Sequence, residues 1–272
     1  MQRPALVASD VDGTLLNPLG RVSPRTADLV GRVLASGTPF VLATGRPPRW
    51  VLDVADATGA SGYAVCSNGA VIYDIGADQV KKQWALDPVT LRDLARLLDQ
   101  ALPGCAMAAE RVGESARSSG VADFVAEDAY VHPWEEGAQP SPGAGRADVL
   151  GHPAVKLLVR HSRMTSEEMA AAAGQLLRDR VAMTYSTNEG LLEFSAAGVT
   201  KASGLAEVAR GLGVRPEEVI VFGDMPNDVP VLRWAGHGVA MANAHPDALA
   251  AADEVTGSNA EDGVAQVLER WF

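Results

Sequence analysis

Near the N-terminus two aspartates, Asp10 and Asp12, stand two residues apart and are followed by Gly13 and Thr14. They come directly after an apolar run, Ala5-Leu6-Val7-Ala8, of the kind that forms a buried strand. Residues i and i+2 of a strand point to one side, so both carboxylates face one space if extended backbone continues to Asp12. Carboxylates that close repel each other unless a cation or a bound proton relieves them. Oxygen donors of this kind suit a hard divalent ion such as Mg²⁺, which keeps several of its waters. The chemistry such a pair fits is metal-assisted handling of phosphate.

Other polar clusters follow later apolar runs. Thr44-Gly45-Arg46 ends Phe40-Val41-Leu42-Ala43, and Ser67-Asn68-Gly69-Ala70 ends Tyr63-Ala64-Val65-Cys66. Gly223-Asp224-Met225-Pro226-Asn227-Asp228 ends the most apolar run, Glu218 to Phe222, and Lys201 opens a helix reaching about Gly211. Each has a plain structural explanation when read alone. Asp-x-Asp-Gly can be a turn, Lys201 a solvated charge, and Asp224 or Asn227 a helix cap. A calcium loop starting at Asp10 fails, because its sixth and twelfth positions are Leu15 and Arg21 rather than Gly and Glu. Together, however, the clusters supply a nucleophile, a proton donor, metal carboxylates and cations for phosphate oxygens. The Thr14 and Thr44 hydroxyls and N–H groups at helix starts add donors.

The elements that must position these residues alternate. The chain runs strand, helix, strand, helix, strand from Ala5 to Cys66, and the alternation resumes after about residue 190. This predicts an α/β, doubly wound, mostly parallel sheet, in which ligands bind beyond the carboxyl ends of the strands. Between the two halves the pattern changes. Ala70 to Leu86 reads as extended with turns, and Asp87-Pro88 starts a helix to about Leu102. Residues 103–153 are rich in Gly, Pro, Ser and Ala, with a loop at 139–145. A strand at 155–159, a helix at 165–178 and a strand at 181–185 follow. The expectation is an inserted α+β domain at 85–189, with the core formed by 1–84 and 190–272.

With 272 residues, 47% of them hydrophobic, the chain makes one large domain or two modest ones. A formal charge of −11 argues against a nucleic-acid surface. Cys66 and Cys105 form neither a metal-ligand pattern nor a disulfide framework. No leader pattern and no apolar run of about 18 residues is present. A cytoplasmic protein with a small-molecule partner and no membrane partner is expected, and monomer and homodimer are not distinguished. No Gly-x-Gly-x-x-Gly follows the first strand, which disfavours dinucleotide binding.

The motif set resembles the haloacid dehalogenase superfamily, and within it the Cof-type phosphatases with a type IIB cap. Asp10-Val11-Asp12-Gly13-Thr14, Thr44-Gly45-Arg46, Lys201 in Gly198-Val199-Thr200-Lys201, and Gly223 to Asp228 match its four motifs in order. Ser67-Asn68-Gly69-Ala70 matches a further Cof-type segment. The resemblance implies a Rossmann-like core with the insertion as cap, and a Mg²⁺-dependent phosphatase acting on a small phosphorylated metabolite such as a sugar phosphate. Asp10 would be the nucleophile, and Asp12 the acid/base that a dehalogenase lacks. Asp10, the carbonyl of Asp12, and Asp224 would hold Mg²⁺, with Asn227 and Asp228 positioning its waters. Thr44 and Lys201 would bind phosphate, and Arg46, Asn68 and Gly69 would lie at the substrate or phosphate rim. Closure of the cap would exclude water. A phosphosugar mutase uses similar residues and is the alternative. A non-catalytic receiver-like module fits less well, since its phospho-acceptor follows a later strand. In the insertion, Trp134, Arg117 and Asn188 are residue types that contact sugars or phosphates, and Glu193 stands near the return to the core.

Overall fold

The computed structural model describes residues 2–116, 123–131, 144–177 and 180–272. Its first half runs β1 (Leu6–Ser9), α1 (Pro24–Ala35), β2 (Phe40–Ala43), α2 (Leu52–Thr58), β3 (Tyr63–Cys66), β4 (Val71–Asp74) and β5 (Gln79–Gln83). Then come α3 (Pro88–Ala101), β6 (Ala106–Glu110), β7 (Phe124–Ala126), α4 (Arg146–Leu150), β8 (Lys156–Arg160), α5 (Ser166–Gly174), β9 (Val181–Thr184) and β10 (Leu191–Ala196). The chain ends with α6 (Lys201–Gly211), β11 (Val219–Gly223), α7 (Val229–Trp234), β12 (His237–Ala240), α8 (Pro246–Ala251), β13 (Glu254–Val255) and α9 (Gly263–Leu268).

Two sheets result. The first has the order β13-β12-β11-β1-β2-β3-β4-β5. Its strands β1 to β3 and β11 to β13 are parallel, and β4 runs antiparallel to β3. The α/β doubly wound core expected from the alternation is therefore present. Its central strands β1, β2 and β11 are buried along their whole length, with Leu6, Val7, Leu42, Ile220 and Val221 at 0% exposure, as helices on both faces require. Helix starts obey local chemistry: Ser23 caps α1 through its side chain, Asp87 caps α3, and Pro follows each at the first turn.

The second sheet, β7-β6-β8-β10-β9, is antiparallel throughout. One face is lined by Met107, Leu157, Val159, Leu192 and Phe194, which cluster with Leu91, Leu94 and Leu98 of α3 and Met169 of α5. The chain divides accordingly into one unit of Met1–Lys82, Ser115–Arg117 and Thr200–Phe272 and a second of Gln83–Glu114 and Ser118–Val199. This shifts the expected boundary at 190. Glu193 and Phe194 pair with β8 on one side and β9 on the other, so β10 completes the second sheet and the core resumes only at Thr200. Among the described residues, no helix is long and apolar enough to cross a membrane.

In the second unit Lys156 and Glu193, 3% and 1% exposed, form a 2.7 Å ion pair. Removing one partner of a buried pair strands the other charge away from water. Lys156→Met is expected to cost about 3–5 kcal/mol in urea unfolding of this unit. Little change would show that water reaches Glu193. Glu193 is thus held by its own sheet. Asn188 accepts from the Glu167 N–H at the start of α5, a capping role. Trp134 and Arg117 lie outside the described residues.

Candidate active site

The first unit brings the polar clusters together because its strands are parallel and adjacent. Ser9 is in register with Leu42 on one side and Phe222 on the other, and Ala43 with Val65. The carboxyl ends of β1, β2, β3 and β11 therefore finish side by side, and each polar segment leaves from there.

Asp10 is the first residue past β1 and is 5% exposed. The backbone does not continue as a strand. It coils through Val11–Leu15, closed by a hydrogen bond from the Leu16 N–H to the Val11 carbonyl. Strand alternation is thus not what relates Asp10 to Asp12, and the expected shared face is not formed. The Asp12 side chain is 60% exposed and receives Arg46 Nε at 2.8 Å and Nη2 at 2.6 Å. Arg46, expected at the substrate or phosphate rim, also bonds the Trp50 carbonyl at 3.2 Å.

Lys201 sits at the first position of α6 behind its cap Thr200, and is 1% exposed. Its Nζ lies 2.6 Å from Asp10 Oδ1 and 2.6 Å from Asp228 Oδ1. An ammonium carries three N–H donors, so one remains after these two bonds. The other oxygen of Asp228 accepts the backbone N–H groups of Asp224 and Met225, each at 3.0 Å. Both Asp228 oxygens are therefore occupied, and this residue braces the turn and Lys201. Asp224 Oδ1 accepts from Thr14 Oγ1 at 2.8 Å. Gly13 is required beside it. At φ +77° a side chain is strained, and a Cβ there would fall on Asp224 Oδ2.

Asp10, Asp224 and Asp228 offer carboxylate oxygens all within 4.8 Å of one another. The electrostatics suit a cation among these carboxylates. Burial raises the Asp10 pKa well above its ordinary value, Lys201 opposes this, and Asp228, Asp224 and Asp12 add to it. Burial, then Asp228, pushes Asp224 up to about 7. For Lys201, burial works against the charge, but Asp10 and Asp228 outweigh it and hold the ammonium above its usual range. The cluster thus holds more negative charge than Lys201 neutralises. With Thr14 on Asp224 Oδ1, Asp224 Oδ2 is left for a divalent ion, and Asp10 Oδ1 keeps a lone pair for it beside its bond to Lys201.

The remaining expected residues line the same end of the sheet. Thr44 is fully buried, and its Oγ1 accepts from the Arg46 N–H at 3.1 Å, so its hydroxyl hydrogen can still donate. The Thr44 carbonyl accepts from the Asn68 N–H, and the Arg46 carbonyl from the Ser67 N–H. A Cβ on Gly45 would lie 3.1 Å from Asn68 Oδ1, and Asn68 Oδ1 accepts from Asn227 Nδ2 at 3.1 Å. Gly69, at φ +98°, lets the β3 loop lie against the start of α6, where a Cβ would run into the Thr200 carbonyl. Gly69→Ala must therefore push α6 and Lys201 away from Asp10. We expect a loss of about 2 kcal/mol or more in stability and a fall in turnover; unchanged thermal unfolding and activity would show that α6 moves freely.

The sequence reading missed Asn243, whose Nδ2 donates to the Gly13 carbonyl at 2.9 Å and so fastens the Asp10 loop. It lies just past the carboxyl end of β12, a placement that already marks site residues in parallel sheets.

Comparison with known proteins gives the family. A family model for haloacid dehalogenase-like hydrolases matches residues 7–268. The 5-amino-6-(5-phospho-D-ribitylamino)uracil phosphatase YitU of Bacillus subtilis (strain 168) is 28% identical, over 99% of this chain and 98% of its own length. The HMP-PP phosphatase of Serratia proteamaculans (strain 568) is 27% identical, over 98% of this chain and 95% of its own. In fold, the chain is similar to the HAD subclass IIB sugar phosphatase BT4131, with a TM-score of 0.76 at 22% identity and 98% of both chains covered. A match across nearly the whole chain, with phosphatases as full-length relatives, makes this protein a member of the haloacid dehalogenase-like hydrolase family and a phosphoric monoester hydrolase within it.

Proposed function

We propose that this hydrolase removes phosphate from a small phosphorylated metabolite, most simply a sugar or polyol phosphate, with Mg²⁺ and through an aspartyl-phosphate on Asp10. The observation that carries the reading is Lys201, buried and bonded to both Asp10 and Asp228, two members of a carboxylate cluster that Asp224 completes. Lys201 orients Asp10 by one oxygen and leaves the other to attack phosphorus. The bond from Asp10 Oδ2 to phosphorus forms as the bond to the leaving oxygen breaks, and Asp12 supplies that oxygen with a proton. Asp12 then takes a proton from water, whose oxygen displaces Asp10 and yields inorganic phosphate. For this, Asp12 must turn from Arg46. The free N–H of Lys201 and the Thr44 hydroxyl donate to phosphoryl oxygens. When bound, Mg²⁺ offsets charge on the phosphoryl group. Phosphate handling on ribityl and sugar carbons in the names of YitU and BT4131 supports the substrate class.

The test is phosphate release from a panel of phosphorylated metabolites, with Mg²⁺ and with EDTA. Turnover is expected to fall by about 100-fold or more on chelation and to return with Mg²⁺. Activity indifferent to chelation would sink the cation. The pH dependence has a definite sign. Without the ion, Asp224 keeps its proton up to about pH 7, so proton and ion compete below that value. Half-saturating Mg²⁺ should therefore rise as pH falls from 8 to 6.

A further inference from the structure

Three successive residues after β3 adopt positive φ: Ser67 at 50°, Asn68 at 57° and Gly69 at 98°. Two of them are not glycine, and such backbone is held only where its surroundings insist on it. Its consequence is local: Asn68 Oδ1 is presented to Asn227 Nδ2 at 3.1 Å, over Gly45. Asn227 is 6% exposed and stands in the turn between Asp224 and Asp228. Since its amide nitrogen is taken by Asn68, its carbonyl end is what remains, and Asn227 Oδ1 is buried with no hydrogen-bond partner among the described residues. A buried acceptor without a donor is unfavourable, and its partner in the working state must be a donor. Phosphate oxygens and carboxylates are acceptors and do not qualify. A water bound to a divalent cation is a strong donor.

We infer that Asn68 is a positioning residue that acts through Asn227: it takes the amide nitrogen and thereby turns the Asn227 carbonyl towards a water in the coordination shell of the cation. This rests on the cation proposed above. It also gives Asn68 a role other than the substrate or phosphate rim expected of it, because its side-chain oxygen is spent on Asn227.

The test is Mg²⁺ binding to the purified chain by calorimetry, with inhibition by inorganic phosphate as the second readout. Asn68→Gly deletes the amide without strain, since glycine adopts positive φ freely. Its Mg²⁺ dissociation constant should rise about fivefold, as loss of one hydrogen bond predicts, with unfolding temperature held. In an Asn227→Ala background the same change should have less than about a twofold effect, because the two residues act as one. Asn227→Asp, which keeps an acceptor, should bind Mg²⁺ at least as well as wild type. An unchanged Mg²⁺ constant in Asn68→Gly, or effects that add in the double variant, would overturn the inference. So would weaker phosphate inhibition with Mg²⁺ binding intact, which assigns the pair to phosphate. Wild-type protein that binds no Mg²⁺ would instead overturn the cation reading itself.

Discussion

Asp10→Asn is expected to lose about 10⁴-fold or more in turnover while unfolding at or above the wild-type temperature. The amide is isosteric with the carboxylate but is a poor nucleophile. The stability half follows from the site's charge. Burial, with Asp228, Asp224 and Asp12, holds the Asp10 pKa well above its ordinary value. A carboxylate raised in the folded chain binds its proton more tightly there than when unfolded. Ionised at neutral pH, it therefore works against folding, and lowering the pH removes that cost. Asparagine carries no charge to desolvate, and Lys201 keeps Asp228 as a partner. The variant's advantage in stability should be greatest at pH 7 to 8 without Mg²⁺ and shrink as the pH falls. Thermal unfolding across pH and a phosphate-release assay check both halves. More than about 1% residual turnover would remove Asp10 from the nucleophile's role.

The second large effect is at Lys201. Lys201→Met fills similar volume but leaves Asp10 and Asp228, 5% and 0% exposed, facing each other without their shared cation. A loss of about 3–5 kcal/mol is expected, as for other broken buried pairs, together with loss of turnover. The ammonium's own stabilisation is complete below about pH 10, but Asp10, already raised and no longer held down by Lys201, takes up a proton more readily in the variant, so the loss should be larger at pH 9 than at pH 6. A second variant separates structure from chemistry. Lys201→Met combined with Asp228→Asn removes one stranded charge and should regain part of the stability without regaining activity. Recovery of both would mean that Lys201 serves the fold alone.

Much of the scaffold was legible because it depends on local pattern. Phe40–Ala43, Tyr63–Cys66 and Lys201–Gly211 are where apolar runs, Pro starts and Gly stops place them. Elsewhere the signal was absent. Strand β6 reads Ala-Met-Ala-Ala-Glu, with no β-branched residue, and its strand state comes from pairing with β7 and β8. Likewise Leu191–Ala196 reads as a strand, but nothing local says which sheet receives it. Only its hydrogen bonds to β8 and β9 do.

By itself, the sequence determined which residue types stand at the ends of strands: two aspartates after β1, Thr44 after β2, Asn68 after β3, and Asp224 to Asp228 after β11. That follows from periods and turn chemistry, which are short-range. The tertiary structure decided who meets whom. Asp12 faces Arg46 rather than Asp10's surroundings, Lys201 reaches Asp10 across 191 residues, and Asp228 holds Lys201 and its own turn. Those pairings depend on the order of parallel strands and on positive φ at Gly13 and Gly69, where any side chain would collide with Asp224 or Thr200. The two neighbouring aspartates of the first motif, alike in sequence, part company on that ground: one is buried on a lysine, and the other is exposed on an arginine.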